Sequence, residues 1–185
     1  HESSEFTYAI DLALLKFNDV DVNYADLSVG IIADISGFNM AAKGKMKDNL
    51  LAGDMDLSMH ELVYQQLTDS LSMAVKLNNL KAEGEAEMLG DNFKADIDVS
   101  SSDLLYESEG QIAEFKSLTF RYKGDVNNYD NVNGNVEMYV NDLSFTMDDV
   151  TLVNEADLRF ISPLNATLST MDVEFGNSQL AFNNM

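Results

Sequence analysis

Carboxylates are the side chains this chain offers most freely for chemistry. Asp56, Asp98 and Glu137 each sit inside an apolar–acid–apolar triplet: Met55-Asp56-Leu57, Ile97-Asp98-Val99 and Val136-Glu137-Met138. The triplets recur at spacings of 42 and 39 residues. Two carboxylates flanking a cleft could hydrolyse a glycosidic bond, and a ladder of them could hold a hard cation. With 32 acids, no pair stands out, and there is no Trp to stack a sugar. Like charges side by side on a sheet repel unless solvated, so a solvated outer face is the simpler expectation for these three acids.

The other chemistries fail for lack of parts. A Ser–His–Asp triad needs an internal histidine. Only His60 qualifies, and its place between Met59 and Glu61 suggests the surface. Without cysteine there is no disulfide, zinc thiolate site or thiol nucleophile. Gly124 and Gly134 lack the context of a phosphate-binding loop. The stretch Asp125–Asn131 carries oxygen ligands, but Tyr129 stands at the fifth position and Val136 at the twelfth, so it is no EF-hand. We therefore expect no catalytic residue, no metal site, no cofactor and no enzyme.

The elements that carry the triplets are strands. Each triplet brings its neighbours along: Glu61-Leu62-Val63-Tyr64, Asp103-Leu104-Leu105-Tyr106 and Asp142-Leu143-Ser144-Phe145 follow the three in turn. At the 42-residue spacing Met46 also falls on Met88, Leu51 on Phe93 and Asp54 on Asp96. A period of this size marks a chain built from one supersecondary unit used repeatedly. Alternation of apolar and polar residues makes the unit β. It runs through Phe6–Leu14, Val20–Tyr24, Leu27–Ile35, Leu51–Met59 and Lys94–Ser100. Later segments are Gln111–Phe115, Leu118–Tyr122, Asn135–Val140, Leu143–Met147 and Ala156–Ile161. Glu61–Leu80 could hold a helical stripe, but Leu71, Met73, Val75 and Leu77 alternate, and we read strand. Asp125–Asn133 is expected as the longest loop, with the glycines at strand ends where turns need them. Weaker echoes, Ile10-Asp11-Leu12 and Met171-Asp172-Val173, extend the array towards both ends.

The fold class is therefore all-β: a repeat-built, strongly curved antiparallel sheet with an apolar concave face, or alternatively a closed β-sandwich or β-solenoid. Residues 1–185 read as one domain, since nothing resembles a linker. A net charge of −21 repels nucleic-acid phosphate and anionic headgroups. Nucleic acid is thus not an expected partner. No run approaches the roughly 20 apolar residues of a membrane span.

Stacked in register, the repeats place Met55, Ile97 and Val136 in one column and Leu57, Val99 and Met138 in the next. Leu62, Leu104 and Leu143 form another, closed by Tyr64, Tyr106 and Phe145. In a closed fold these columns are core. On an open sheet they form a surface for acyl chains, and the first six residues are the candidate lipid-binding set. Ten methionines suit such an adaptable surface.

Phe17-Asn18-Asp19-Val20-Asp21-Val22-Asn23-Tyr24-Ala25-Asp26, and then Ile35-Ser36-Gly37-Phe38-Asn39-Met40-Ala41-Ala42-Lys43-Gly44, carry a resemblance. The chain resembles the AsmA-like family of Gram-negative envelope proteins, best over residues 6–64. The shared pattern is an alternating strand ending in Tyr24-Ala25-Asp26, a second apolar strand, and a third bounded by Gly37 and Gly44. The family's N-terminal membrane helix is not seen in this sequence. The resemblance implies a periplasmic, soluble fragment of a longer protein anchored in the inner membrane. It implies a hydrophobic groove, phospholipid or other acyl chains as partners, and a role in lipid transfer or outer-membrane assembly. The competing expectation is a structural or adhesive β-repeat module at the cell surface.

Overall fold

A computed structural model describes residues 9–68 and 72–183. Part of the first expected strand, Phe6 to Tyr8, and Leu71 of the ambiguous stretch lie outside these residues.

The described residues form ten strands in one sheet and no helix. The first eight are long: β1 (Ala9–Asp26), β2 (Ile31–Lys47), β3 (Leu50–Leu67), β4 (Ser72–Leu89), β5 (Asn92–Ser108), β6 (Gln111–Asn127), β7 (Asn131–Met147) and β8 (Val150–Thr167). Two short strands, β9 (Asp172–Phe175) and β10 (Gln179–Asn183), both pair with β8. From β1 to β8 every strand runs antiparallel to its neighbour in chain order, a meander without crossovers. The 42-residue period is one two-strand hairpin, so the recurring triplets fall on β3, β5 and β7.

Tight turns set the register. Glu109-Gly110 and Asp148-Asp149 both have positive φ at the two central positions, the twist that favours two-residue hairpins. Asp125–Asn133 is not a loop. Asp125 pairs with Asn133, Val126 with Val132 and Asn127 with Asn131, leaving only residues 128–130 to turn. Polar side chains do not prevent pairing where one face of the strand is solvated.

The strands are about twice as long as the sequence suggests, for one reason. Midway along them, Asp19, Gly37, Asn79, Asp103, Asp142 and Glu155 adopt left-handed backbone conformations on six different strands. Such a residue occupies a place in the chain without a place in the alternation. On β5 the series Ile97, Val99, Ser101 therefore resumes after Asp103 as Leu104, Tyr106; on β7, Val136, Met138, Val140 resumes after Asp142 as Leu143, Phe145. Polar side chains from both halves secure this midline. Asn39 accepts from the Asp19 N–H, Asp21 from Gly37, Asp157 from Asp142, and Ser144 from Glu155. The polar side chains of both halves thus share one face, and the apolar side chains share the other.

The sheet is a single layer that does not close on itself, which rules out the closed sandwich or solenoid. Its accessible surface is 12498 Å², against about 8,900 Å² for a compact protein of this mass. Among the described residues the buried apolar side chains are only Met59, Ala95, Val136, Val140 and Ala156. No second layer covers the apolar face, so stability rests on the hydrogen-bond ladders and on contacts along each row.

Candidate functional site

Register converts the columns read from sequence into rows across the sheet. Met55, Gly84, Ile97, Tyr122, Val136 and Ser162 are successive partners from β3 to β8. The next row is Leu57, Ala82, Val99, Phe120, Met138 and Phe160. The six candidate residues therefore occupy two adjacent rows of one face, each separated from the next in its row by one intervening strand. Met55 and Ile97 are 43% and 37% exposed, Leu57, Val99 and Met138 are half-buried, and Val136 is buried at 8%. The rows through Leu62, Leu104 and Leu143 and through Tyr64, Tyr106 and Phe145 are likewise in register.

A further row, two residues from Met55, consists of small residues: Gly44, Gly53, Ala86, Ala95, Gly124 and Gly134. Between the larger side chains on either side it forms a trough perpendicular to the strands. Over β2–β5 the trough opens into a cavity of about 450 Å³. Leu51, Met88 and Phe93 wall one side, Met55 and Ile97 the other, with Ala95 on the floor. Sequence reading missed this row because its glycines look like turn residues; all four of them (Gly44, Gly53, Gly124, Gly134) lie inside strands instead. The available signal was the 42-residue coincidence of Leu51 and Phe93, which are indeed wall neighbours.

Where the row crosses β6 and β7 it is closed. A Cβ on Gly124 would lie 2.5 Å from the Tyr122 hydroxyl, and one on Gly134 would lie 2.7 Å from the Tyr122 ring. The ring thus lies over both glycines, a known way for an aromatic to cover bare strand backbone. Burial raises the Tyr122 pKa above its ordinary value, and the Asp125 carboxylate adds to the effect.

The opposite face is ionic. Asp56, Glu83, Asp98, Arg121 and Glu137 are successive partners in one row. Arg121 pairs with Asp98 at 2.8 Å, which raises the guanidinium pKa. Lys123 donates to Asp96 and holds that carboxyl below its ordinary value. Lys76 pairs with Glu61 and Lys116 with Asp142. The three repeated acids therefore do share a row, interrupted by one arginine and one further acid. No group of three or more acids or histidines among the described residues is placed to hold a metal ion. His60 packs its ring against Gly37 at the midline, where a Cβ would come within 2.8 Å of it.

The two weak echoes are out of step with the rest. Asp11 pairs with Lys45 and Asp172 with Thr167, so neither belongs to the row of Asp56.

Among the described residues no helix is long and apolar enough to cross a membrane. Comparison with family models, with curated proteins and with solved structures finds no match to this chain, and the reading of the site rests on its own geometry.

Proposed function

We propose that this chain holds lipid acyl chains on its uncovered apolar face, as a lipid-binding or lipid-transfer element of the bacterial envelope. The observation that carries the reading is the single-layer sheet. One face is ionic, the other apolar and uncovered, and the apolar face contains a trough with almost no polar lining. An apolar surface of this extent on a soluble fold marks an interaction site. A trough with so few hydrogen-bonding groups suits an alkyl chain and not a peptide, whose backbone would be left unpaired.

An acyl chain leaving a bilayer loses about 0.8 kcal/mol per exposed methylene, and a continuous apolar strip replaces that environment. Over β2–β5 the rows offer similar contacts from strand to strand, so displacement along that part of the array changes the energy little. The acidic opposite face disfavours adhesion to anionic membranes. The resemblance to AsmA-like proteins supports a periplasmic setting, with anchoring to the inner membrane through sequence outside this chain. The surface-module reading drew on a closed core, and the open sheet does not favour it.

The test is native mass spectrometry of protein expressed in bacteria, comparing the parent with Met55→Asp and Ile97→Asp. Both positions are more than a third exposed, so a carboxylate there stays hydrated and the fold persists. Co-purifying phospholipid should be present in the parent and depleted in the variants. A parent that is lipid-free in every preparation would refute the proposal.

A further inference from the structure

Given that reading, the structure assigns Tyr122 as the stop that sets how long an alkyl chain the trough accepts. The row of small residues continues without a break from Gly44 on β2 to Gly134 on β7. Five strand spacings span about 24 Å. The cavity, however, occupies only the β2–β5 part of it. From Gly44 to Ala95 is three spacings, about 14 Å. That is close to the depth of one leaflet, about half of a 30 Å hydrocarbon core.

What ends the cavity is a side chain and not the backbone. Gly124 and Gly134 continue the floor beyond Ala95, and the Tyr122 ring lies on both. Tyr122 belongs to the neighbouring row, between Ile97 and Val136, and reaches diagonally across to the glycines. Its hydroxyl is held only by a long contact of 3.5 Å to the Asn133 carbonyl. The ring therefore does the blocking. Removing it would uncover Gly124 and Gly134 and extend the floor by two spacings, about 10 Å, to Leu164, the next partner in the row.

The occupant is an unbranched alkyl chain. The floor is Gly and Ala, the walls are Leu, Met, Phe and Ile, and the ionic side chains point to the other face. Each methylene added to a chain inside the trough should tighten binding about fourfold. Methylenes that run past the stop should add little.

The experiment measures affinities of decanoate, tetradecanoate and octadecanoate for the intact protein and three variants, by displacement of a fluorescent fatty acid. In the parent, affinity should climb with length and then level off before octadecanoate. Tyr122→Phe should behave as the parent. In Tyr122→Ala the climb should continue through octadecanoate. Tyr122→Thr, which keeps strand propensity, takes its place if the alanine variant does not fold. Ala86→Phe plugs the trough near its middle and should move the limit to shorter chains.

The outcomes separate the two proposals. If no fatty acid binds the parent, the lipid reading itself falls. If the parent binds with a length limit that Tyr122→Ala and Tyr122→Thr leave unchanged, the lipid reading stands and the role of Tyr122 is overturned. A limit that Tyr122→Phe abolishes would also overturn it, since the hydroxyl would then be the stop.

Discussion

Two glycines of the same row should respond in opposite directions to the same added methyl group. At Gly124 a Cβ would lie 2.2 Å from the Asn133 carbonyl oxygen and 2.7 Å from the Gly134 Cα. These obstacles are backbone, so relief requires β6 and β7 to separate. Forcing atoms into a filled site costs about 1–3 kcal/mol, and backbone contacts this short belong at about 3 kcal/mol. At Gly44 the nearest atom is the Ala52 carbonyl oxygen at 3.5 Å, an ordinary contact. Neither residue has positive φ, so alanine is conformationally acceptable at both. Gly44→Ala should therefore stabilise by about 0.5 kcal/mol, through the lower entropy of the unfolded chain. The two variants should differ by about 3.5 kcal/mol. With a urea dependence of about 2 kcal/mol per molar, their unfolding midpoints by circular dichroism should be more than about 1.5 M apart. Adding Tyr122→Ala to Gly124→Ala should recover little, because the Asn133 carbonyl remains in the way. A Gly124→Ala protein as stable as Gly44→Ala would refute the close approach of β6 and β7.

Three further outcomes follow from single side chains. Ser101 is buried on the apolar face and its hydroxyl has no hydrogen-bond partner; Ser101→Ala should raise stability by about 1 kcal/mol in urea unfolding. Glu83 stands between Asp56 and Asp98 as a direct partner of both, so Glu83→Lys should stabilise by about 0.5 kcal/mol, a gain that shrinks when the melt is repeated in 1 M salt. The Lys123 hydrogen bond holds the Asp96 carboxyl below its ordinary value of 3.8, so its stabilising contribution is complete above that pH and is lost as the pH falls through the lower native value. Asp96→Asn should accordingly melt below the parent at neutral pH and converge with it in acid; a gap that stays constant across a pH series of melts would contradict this.

The rows of the apolar face were legible in the sequence because register in a meander follows hairpin length. Leu57, Val99 and Met138 line up because each spacing, 42 and then 39 residues, is the length of one hairpin. Strand length was illegible for a physical reason. At Asp142 the alternation slips by one, and a period-two reading ends one strand at Val140 and begins another at Leu143. The backbone instead continues through β7 with a left-handed residue between them. Asp103 and Asp19 divide β5 and β1 in the same way. Aspartate tolerates that conformation and is also common in turns, so composition alone could not tell a midline from a loop. The trough escaped detection because glycine carries no pattern of its own; Gly124 and Gly134 become informative only once their partners across the ladder are known. The closed-core alternative failed for want of material. With one layer, there is nothing for Leu57 or Val99 to pack against on the far side.

From β1 to β7 each strand touches only the one before and the one after it in the chain. Peeling β1 away breaks one ladder and leaves the other strands as they were, whereas β4, β5 and β6 can be released only by breaking two. Amide hydrogens should therefore exchange fastest at the two flanks and slowest in the middle. Loss of structure should advance inward a hairpin at a time, like a zipper opened from either end.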